Sequence, residues 1–387
     1  MTDTLYLDNN ATTRVAPEVR EAILPFLGER YGNPSSPHHF GGSIEADLTL
    51  ARNRLASLVG CSPKEVFFTS GGTESDNLAI RGILASHPDR RHIVTTQVEH
   101  SAVLVQCREL EKQGFRVTYL PVDSDGGLKI ADLEEAIDEE TALVSIMWAN
   151  NETGVIFPIE EISRVCRDRE IPLHVDGVQA VGKIPVNLSK TSIDLMAISG
   201  HKFHAPKGVG AIYIRSGFKI KPLFWGGNQE RGRRPGTEPV PFIVGLGKAA
   251  QLAEECLDHE FDRIRVLRDE LEKGFLKKIP EVWVNGGGQP RLPNTLSACF
   301  EGVEGEALLM LMDQNGIAAS SGSACLSHRL EPSHVLLAMG VPEEIAKGAV
   351  RLGLSRYTEK EEVERVLEVM PGLVEKARRL SKRMRRG

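Results

Sequence analysis

Between residues 18 and 256, short runs rich in β-branched and aromatic residues alternate with stretches of helical periodicity. That alternation limits the fold more than any other feature. The runs fall at 66–69, 93–96, 116–120, 143–149, 173–175, 195–199 and 210–214, with helical patterns between them, as at 74–85, 102–113 and 159–169. Strands separated by helices return in the same direction, so the pattern predicts an α/β fold with a mostly parallel sheet covered on both faces. Near residue 257 the pattern changes. Phe261, Ile264, Leu267, Leu271 and Phe275 recur at helical spacing and predict a long amphipathic helix that ends before Pro280. Short strands at 282–284, 295–300 and 349–354 follow, with helices between them, which reads as a smaller α+β domain. The expected division is an N-terminal segment at 1–17 packed with the small domain, a large domain at 18–256 and a small domain at 257–387.

Composition excludes several classes of function. Of 387 residues, 41% are hydrophobic and 26% charged, and the formal net charge is -6, so nothing directs the chain to nucleic acid or to a membrane surface. No apolar run approaches the roughly 20 residues that span a bilayer. The first residues have neither the basic nor the apolar region of a secretory signal, and a cytoplasmic location is expected. The basic cluster of Arg378, Arg379, Lys382, Arg383, Arg385 and Arg386 reads as a solvated, frayed helix end. Six cysteines are scattered without a disulfide framework or metal-ligand spacing, so no metal site is expected. Cys61, Cys107, Cys166, Cys256 and Cys299 sit in patterns that ordinary packing explains. Cys325 does not.

Four constellations stand at the ends of predicted strands, where ligands collect in open α/β sheets. Ser70-Gly71-Gly72-Thr73-Glu74-Ser75 follows the run at 66–69 and opens a helix. It is either a plain turn with Thr73 as N-cap or a phosphate cradle made of helix-start amides. Asp176, after the run at 173–175, is either a helix cap or the counter-charge of a cationic ring. Lys202, in Ser199-Gly200-His201-Lys202, is a surface charge or a desolvated Schiff-base amine. His100 follows the run at 93–96, and its company raises it above an ordinary structural histidine. Together they supply what pyridoxal 5'-phosphate needs: a phosphate anchor, a stacking ring, an acid for the pyridinium nitrogen and an amine for the aldehyde. A fifth constellation, Ser320-Ser321-Gly322-Ser323-Ala324-Cys325, surrounds a cysteine with small polar residues. An exposed, mobile thiol is expected there, and the thiolate is the nucleophilic form.

In these motifs the chain resembles the NifS/IscS-type cysteine desulfurases, in the class V aminotransferase branch of fold-type I pyridoxal-phosphate enzymes. The likeness runs from Tyr6-Leu7-Asp8-Asn9-Asn10-Ala11-Thr12-Thr13 through Asn150-Asn151-Glu152-Thr153-Gly154 to Leu330-Glu331-Pro332-Ser333-His334. The Ser-Ser-Gly-Ser-Ala-Cys form is similar to the group with a longer catalytic loop. The resemblance implies a large domain on a mostly parallel sheet, a small α+β domain carrying the Cys325 loop, and a homodimer. It implies that Lys202 forms the Schiff base and moves the α-proton, Asp176 pairs with the ring nitrogen, and Gln179 bonds the ring oxygen. His100 stacks on the ring. Gly72, Thr73, Ser199 and His201 hold the phosphate, with Thr237 supplied by a second subunit. Asn151 and Arg351 grip the carboxylate of L-cysteine, although Arg356 lies close by in sequence. Cys325 takes the sulfur as a persulfide, alanine leaves, and the sulfur passes to an acceptor such as an iron–sulfur scaffold protein. Two departures from the family pattern are His328-Arg329, where the family has Gly-Ser, and Pro235 in place of a small residue. The rival readings are a selenocysteine lyase, an aminotransferase, or a scaffold that binds sulfur-carrier proteins without catalysis.

Overall fold

A computed structural model describes residues 4–321 and 332–384. Its strands are β1 (Leu5–Tyr6), β2 (Val66–Thr69), β3 (His92–Thr96), β4 (Arg116–Leu120), β5 (Thr141–Met147), β6 (Leu173–Asp176), β7 (Leu195–Ser199), β8 (Gly210–Ile214), β9 (Val282–Val284), β10 (Thr295–Phe300), β11 (Ile317–Ala318) and β12 (Ala349–Gly353). Its helices are α1 (Pro17–Leu27), α2 (His39–Gly42), α3 (Glu45–Leu58), α4 (Gly72–Ser86), α5 (Ser101–Lys112), α6 (Ile130–Ala136), α7 (Ile159–Asp168), α8 (Val240–Lys278), α9 (Gly305–Gln314), α10 (His334–Ala338), α11 (Glu343–Ala346) and α12 (Lys360–Met384).

The runs expected between 66 and 214 form one sheet in the order β2-β8-β7-β6-β5-β3-β4. Only β8 runs against its neighbours within it. The carboxyl ends of the other strands, including Thr69, Thr96, Met147, Asp176 and Ser199, therefore line one edge. Alternate residues divide between two cores, as the period of a strand requires. Phe67, Ile93, Leu143 and Ile212 face a cluster with α4 and α5. Phe68, Val94, Val144 and Ile198 face a larger one with α1, α3 and the first half of α8. Burial on both sides explains why these strands read as continuous apolar runs.

α8 reaches much further than its periodicity suggests. The pattern starts it near Phe261, but it begins at Val240 and continues for 39 residues, a length of roughly 58 Å at 1.5 Å per residue. Its first part carries Gly245, Gly247, Ala249 and Ala250 in place of large apolar residues, because neighbouring helices lie close. A Cβ on Gly247 would stand 2.4 Å from the Cα of Ala51 in α3. Farther along, Ile264, Leu267, Leu271 and Phe275 enter a separate core with β10, β12, α9 and α12. There β10 lies between β9 and β12 in an antiparallel sheet.

The N-terminal segment connects these bodies. β1 pairs in parallel with β11, Leu5 and Leu7 join the smaller core, and Asn9 Nδ2 donates to Gly353 O at 2.8 Å. A few residues later Thr13 N donates to His201 O at 2.9 Å, beyond the end of β7. Arg378 of the C-terminal basic cluster, expected on a solvated end, donates to Glu301 O at 2.8 Å and Pro280 O at 2.7 Å and fastens α12 to the turn after β10 and the turn before β9.

Candidate active site

A cavity of about 360 Å³ opens at the carboxyl edge of the large sheet. Gly72, Thr73, His100, Asp176 and Lys202 all line it, from separate turns. Gln179, Ser199, His201, Asn151 and Arg351 complete the set of sequence-predicted residues that it brings together.

At one end is the start of α4. Its N-cap is Gly71, not Thr73, and no side chain caps it. The first helical bond is Ser75 N to Gly71 O, at 3.1 Å. The amides of Gly72, Thr73 and Glu74 therefore precede the ladder and carry the positive end of the helix dipole. Neighbouring side chains are committed elsewhere. Glu74 accepts from Ser70 N at 2.9 Å and from Arg234 at 3.0 Å, and Ser75 Oγ reaches Ala211 O at 3.0 Å. A Cβ on Gly72 would stand 2.8 Å from Val178 Cγ2 and 3.6 Å from Ser199 Cβ, so glycine lets the β7 end and the helix start close around one small anion. His201, in the turn after β7, holds Thr12 Oγ1 at 3.1 Å. Burial, with Lys202 and other lysines nearby, lowers its imidazole to about 4 and keeps it neutral.

The centre holds the acid, the amine and the imidazole. Lys202 Nζ donates to Asn10 O at 2.8 Å and to Ala11 O at 2.7 Å. Asp176 ends β6 and accepts Val178 N at 2.9 Å. Burial raises its carboxyl above the ordinary range, opposed by His100, the Val178 amide and Lys202. His100 caps α5, its Nδ1 accepting Ala102 N at 3.1 Å. Burial lowers its imidazole, against the pull of Asp176, so the neutral ring carries its proton on Nε2. A carboxylate buried with so little solvation favours a cation beside it. A protonated pyridine ring with an aldehyde toward Lys202 and a phosphate at the α4 start fits this donor set. Gln179 donates from Nε2 to Asn10 O at 3.0 Å and accepts from Lys183 at Oε1.

The far end is basic. Arg351 is buried in β12, donates from Nη2 to Asp8 Oδ1 at 2.8 Å and from Nη1 to Asn151 O at 3.0 Å. Its Nε has no partner among the described residues. Arg356, the sequence neighbour that competed for this role, pairs with Glu260 at 3.1 Å and lines a different, smaller cavity. Of the two arginines, Arg351 is the one that lines the cavity.

Two expected residues are not among those that line this cavity. Thr237 is exposed and outside its lining, and Cys325 lies outside the described residues. The other cysteines are packing residues. Cys107, Cys166 and Cys299 are buried, and burial pushes the thiols of Cys107 and Cys166 up to about 12. Among the described residues, no group of three or more His, Cys, Asp or Glu side chains is arranged to hold a metal. No helix there is long and apolar enough to cross a membrane.

Sequence reasoning gave no role to Asn10, whose carbonyl meets both Lys202 and Gln179, or to Asp76, which lines the cavity from α4. Asn10 sits in a stretch without periodicity, and its only signal was membership of the Tyr6–Thr13 motif. Asp76 reads as an ordinary polar residue near a helix start.

Comparison with known proteins agrees with this geometry. The family described as Aminotransferase class-V matches residues 5–366. A cysteine desulfurase of Nostoc sp. is 54% identical over 377 residues, covering 97% of this chain and 94% of that protein. The cysteine desulfurase NifS of Azotobacter vinelandii is 50% identical over 378 residues, covering 97% and 94%. A solved NifS-like protein superimposes with a TM-score of 0.90 at 42% identity, over 96% of this chain and 99% of the other.

Proposed function

This chain belongs to the class V aminotransferase family, with the NifS/IscS-type cysteine desulfurases, and on that premise we propose that it converts L-cysteine to L-alanine with a persulfide on Cys325. The observation that carries the reading is the convergence of Lys202, Asp176 and His100 on one cavity, with the uncapped α4 start at one end and Arg351 at the other.

Bound pyridoxal 5'-phosphate supplies an electron sink for the charge left when the substrate α-carbon loses its proton. The chain's own groups do the rest. Lys202 would hold the cofactor through its amine and, once the substrate is bound, would move the α-proton. Asp176 keeps a proton on the ring nitrogen, and Gln179 donates to the ring oxygen. His100 would stack on the ring and take part in proton transfer. The Gly72 and Thr73 amides, Ser199 and His201 bind the phosphate, and Thr237 of a second copy of the chain completes that end. Arg351 and Asn151 orient the substrate carboxylate so that its thiol faces the attacking group. The Cys325 thiolate attacks the substrate sulfur; the S–S bond forms as the carbon–sulfur bond breaks. One cysteine and one enzyme thiol become one alanine and one enzyme persulfide, so no external oxidant is required. An acceptor protein, such as an iron–sulfur scaffold, then takes the outer sulfur. A cytoplasmic homodimer is the form in which we expect the enzyme to act.

Replacing Cys325 with alanine tests the nucleophile. The purified variant should keep the visible absorbance of the bound cofactor and lose alanine release from cysteine by several orders of magnitude, about the scale of losing a catalytic nucleophile. Alanine release at the parental rate would remove the persulfide step from the mechanism.

A further inference from the structure

One side chain in the cavity has no part in the chemistry above. Asp76, in the second turn of α4, is 1% exposed. Its Oδ1 has no hydrogen-bond partner among the described residues. His174 Nε2 stands 3.3 Å from it. His174 stands two residues before Asp176 on β6, so both point to the face that α4 covers. Its other ring nitrogen, Nδ1, is held by Ser145 Oγ at 2.9 Å. Two buried acids, on facing elements, thus border the place where one cationic ring would lie.

Such a pair does not carry two charges. Like-charged carboxylates in a desolvated site share a proton, and the environment decides which keeps it. The surroundings are unequal here. Asp176 has the Val178 amide at 2.9 Å, and the His100 imidazole and the charge of Lys202 act in favour of its anion. For Asp76, burial is followed by the repulsion of Asp176 and Glu99, and all three push its carboxyl well above the usual range. His174, fully buried and lowered to about 3, is neutral and brings no charge. The remaining titratable groups that line the cavity are His201 and Arg351, on the phosphate and carboxylate ends.

We propose that Asp76 is the proton-bearing partner of Asp176: a neutral carboxylic acid, bracketed by His174, that leaves Asp176 as the one anion facing the ring nitrogen. Asp76 is in this sense a positioning residue that acts through Asp176. His174 Nε2, 3.3 Å away, likewise has no hydrogen-bond partner among the described residues, so an acidic hydrogen on Asp76 would have an unclaimed acceptor within reach. The proposal rests on the reading that the cavity takes pyridoxal 5'-phosphate, and it concerns which acid holds the proton there.

Infrared difference spectroscopy of the wild type against Asp76→Asn, first without and then with pyridoxal 5'-phosphate, tests it. The wild type should show the carbonyl stretch of protonated carboxyls at neutral pH, and Asp76→Asn should remove one component of it, while Glu99, which burial pushes up to about 8, keeps its own. Asparagine mimics the neutral acid, so Asp76→Asn should also bind the cofactor within about threefold of the wild type. In the alkaline range the wild-type cofactor absorbance should show an inflection as Asp76 loses its proton, absent from Asp76→Asn. An unchanged carboxyl band, or identical absorbance titrations, would overturn the assignment. Failure of the wild type to take up pyridoxal 5'-phosphate would instead defeat the functional reading, while the band in cofactor-free protein would still locate the proton.

Discussion

Arg351 illustrates how a single residue acquires its role from what its competitor is doing. Arg351 lies within β12 and Arg356 just beyond it, and both are ion-paired, with Asp8 at 2.8 Å and Glu260 at 3.1 Å, but of the two it is Arg351 that lines the cavity. Charge-assisted hydrogen bonds are worth about 1.5–3 kcal/mol each. Arg351→Ala should therefore raise the KM for cysteine on the order of 10- to 100-fold. Arg356→Ala should leave KM near its parental value and act on stability instead. Steady-state assays of both variants decide the matter, and equal KM changes would refute the assignment. At this scale the sequence was legible where a polar residue ends an apolar run, as with Asp176, His100 and Lys202. It was silent where the role comes from a neighbour brought in by folding. Asp76 is buried because β6 places His174 and Asp176 opposite it, and nothing in its own stretch of chain records that.

Helices and strands were readable in proportion to their length and to how many large apolar residues they bury. β2, β4, β7 and β8 have the bounds expected from their runs. β1 and β11, two residues each, are too short to carry a period. The first part of α8 was missed for a different reason, since it packs through glycine and alanine against α1 and α3 and lacks the large apolar residues that announce a helix face. Close packing makes a prediction. Gly247→Ala adds a methyl 2.4 Å from a backbone atom of α3, which has no flexible side chain to swing aside. Overpacking of this kind costs about 1–3 kcal/mol, so urea unfolding of the variant should show a lower midpoint. A midpoint equal to the parent would mean that α3 and α8 separate more easily than their contact suggests.

Over the whole molecule, the division proposed at 256–257 falls inside α8, so two hydrophobic cores share one helix. The exposed position of Thr237, outside the cavity of its own chain, bears on assembly. If a second copy supplies it, protomers carrying Lys202→Ala and Thr237→Ala should complement each other. In a mixed dimer one site has both defects and the other has neither, so mixing should recover about half of the parental activity per mixed dimer, while each variant alone stays low. Absence of recovery, with mixed dimers confirmed by mass, would return Thr237 to its own subunit. The N-terminal segment has a consequence of another kind. Asn9 finds its partner Gly353 a full 344 positions downstream, and Asn10 helps to hold the amine of Lys202. A ribosome adding about 5–20 residues per second needs tens of seconds to deliver those partners. Asn9 must therefore wait while the 344 positions to its partner are made, and the pocket is complete only after Arg351 has been added.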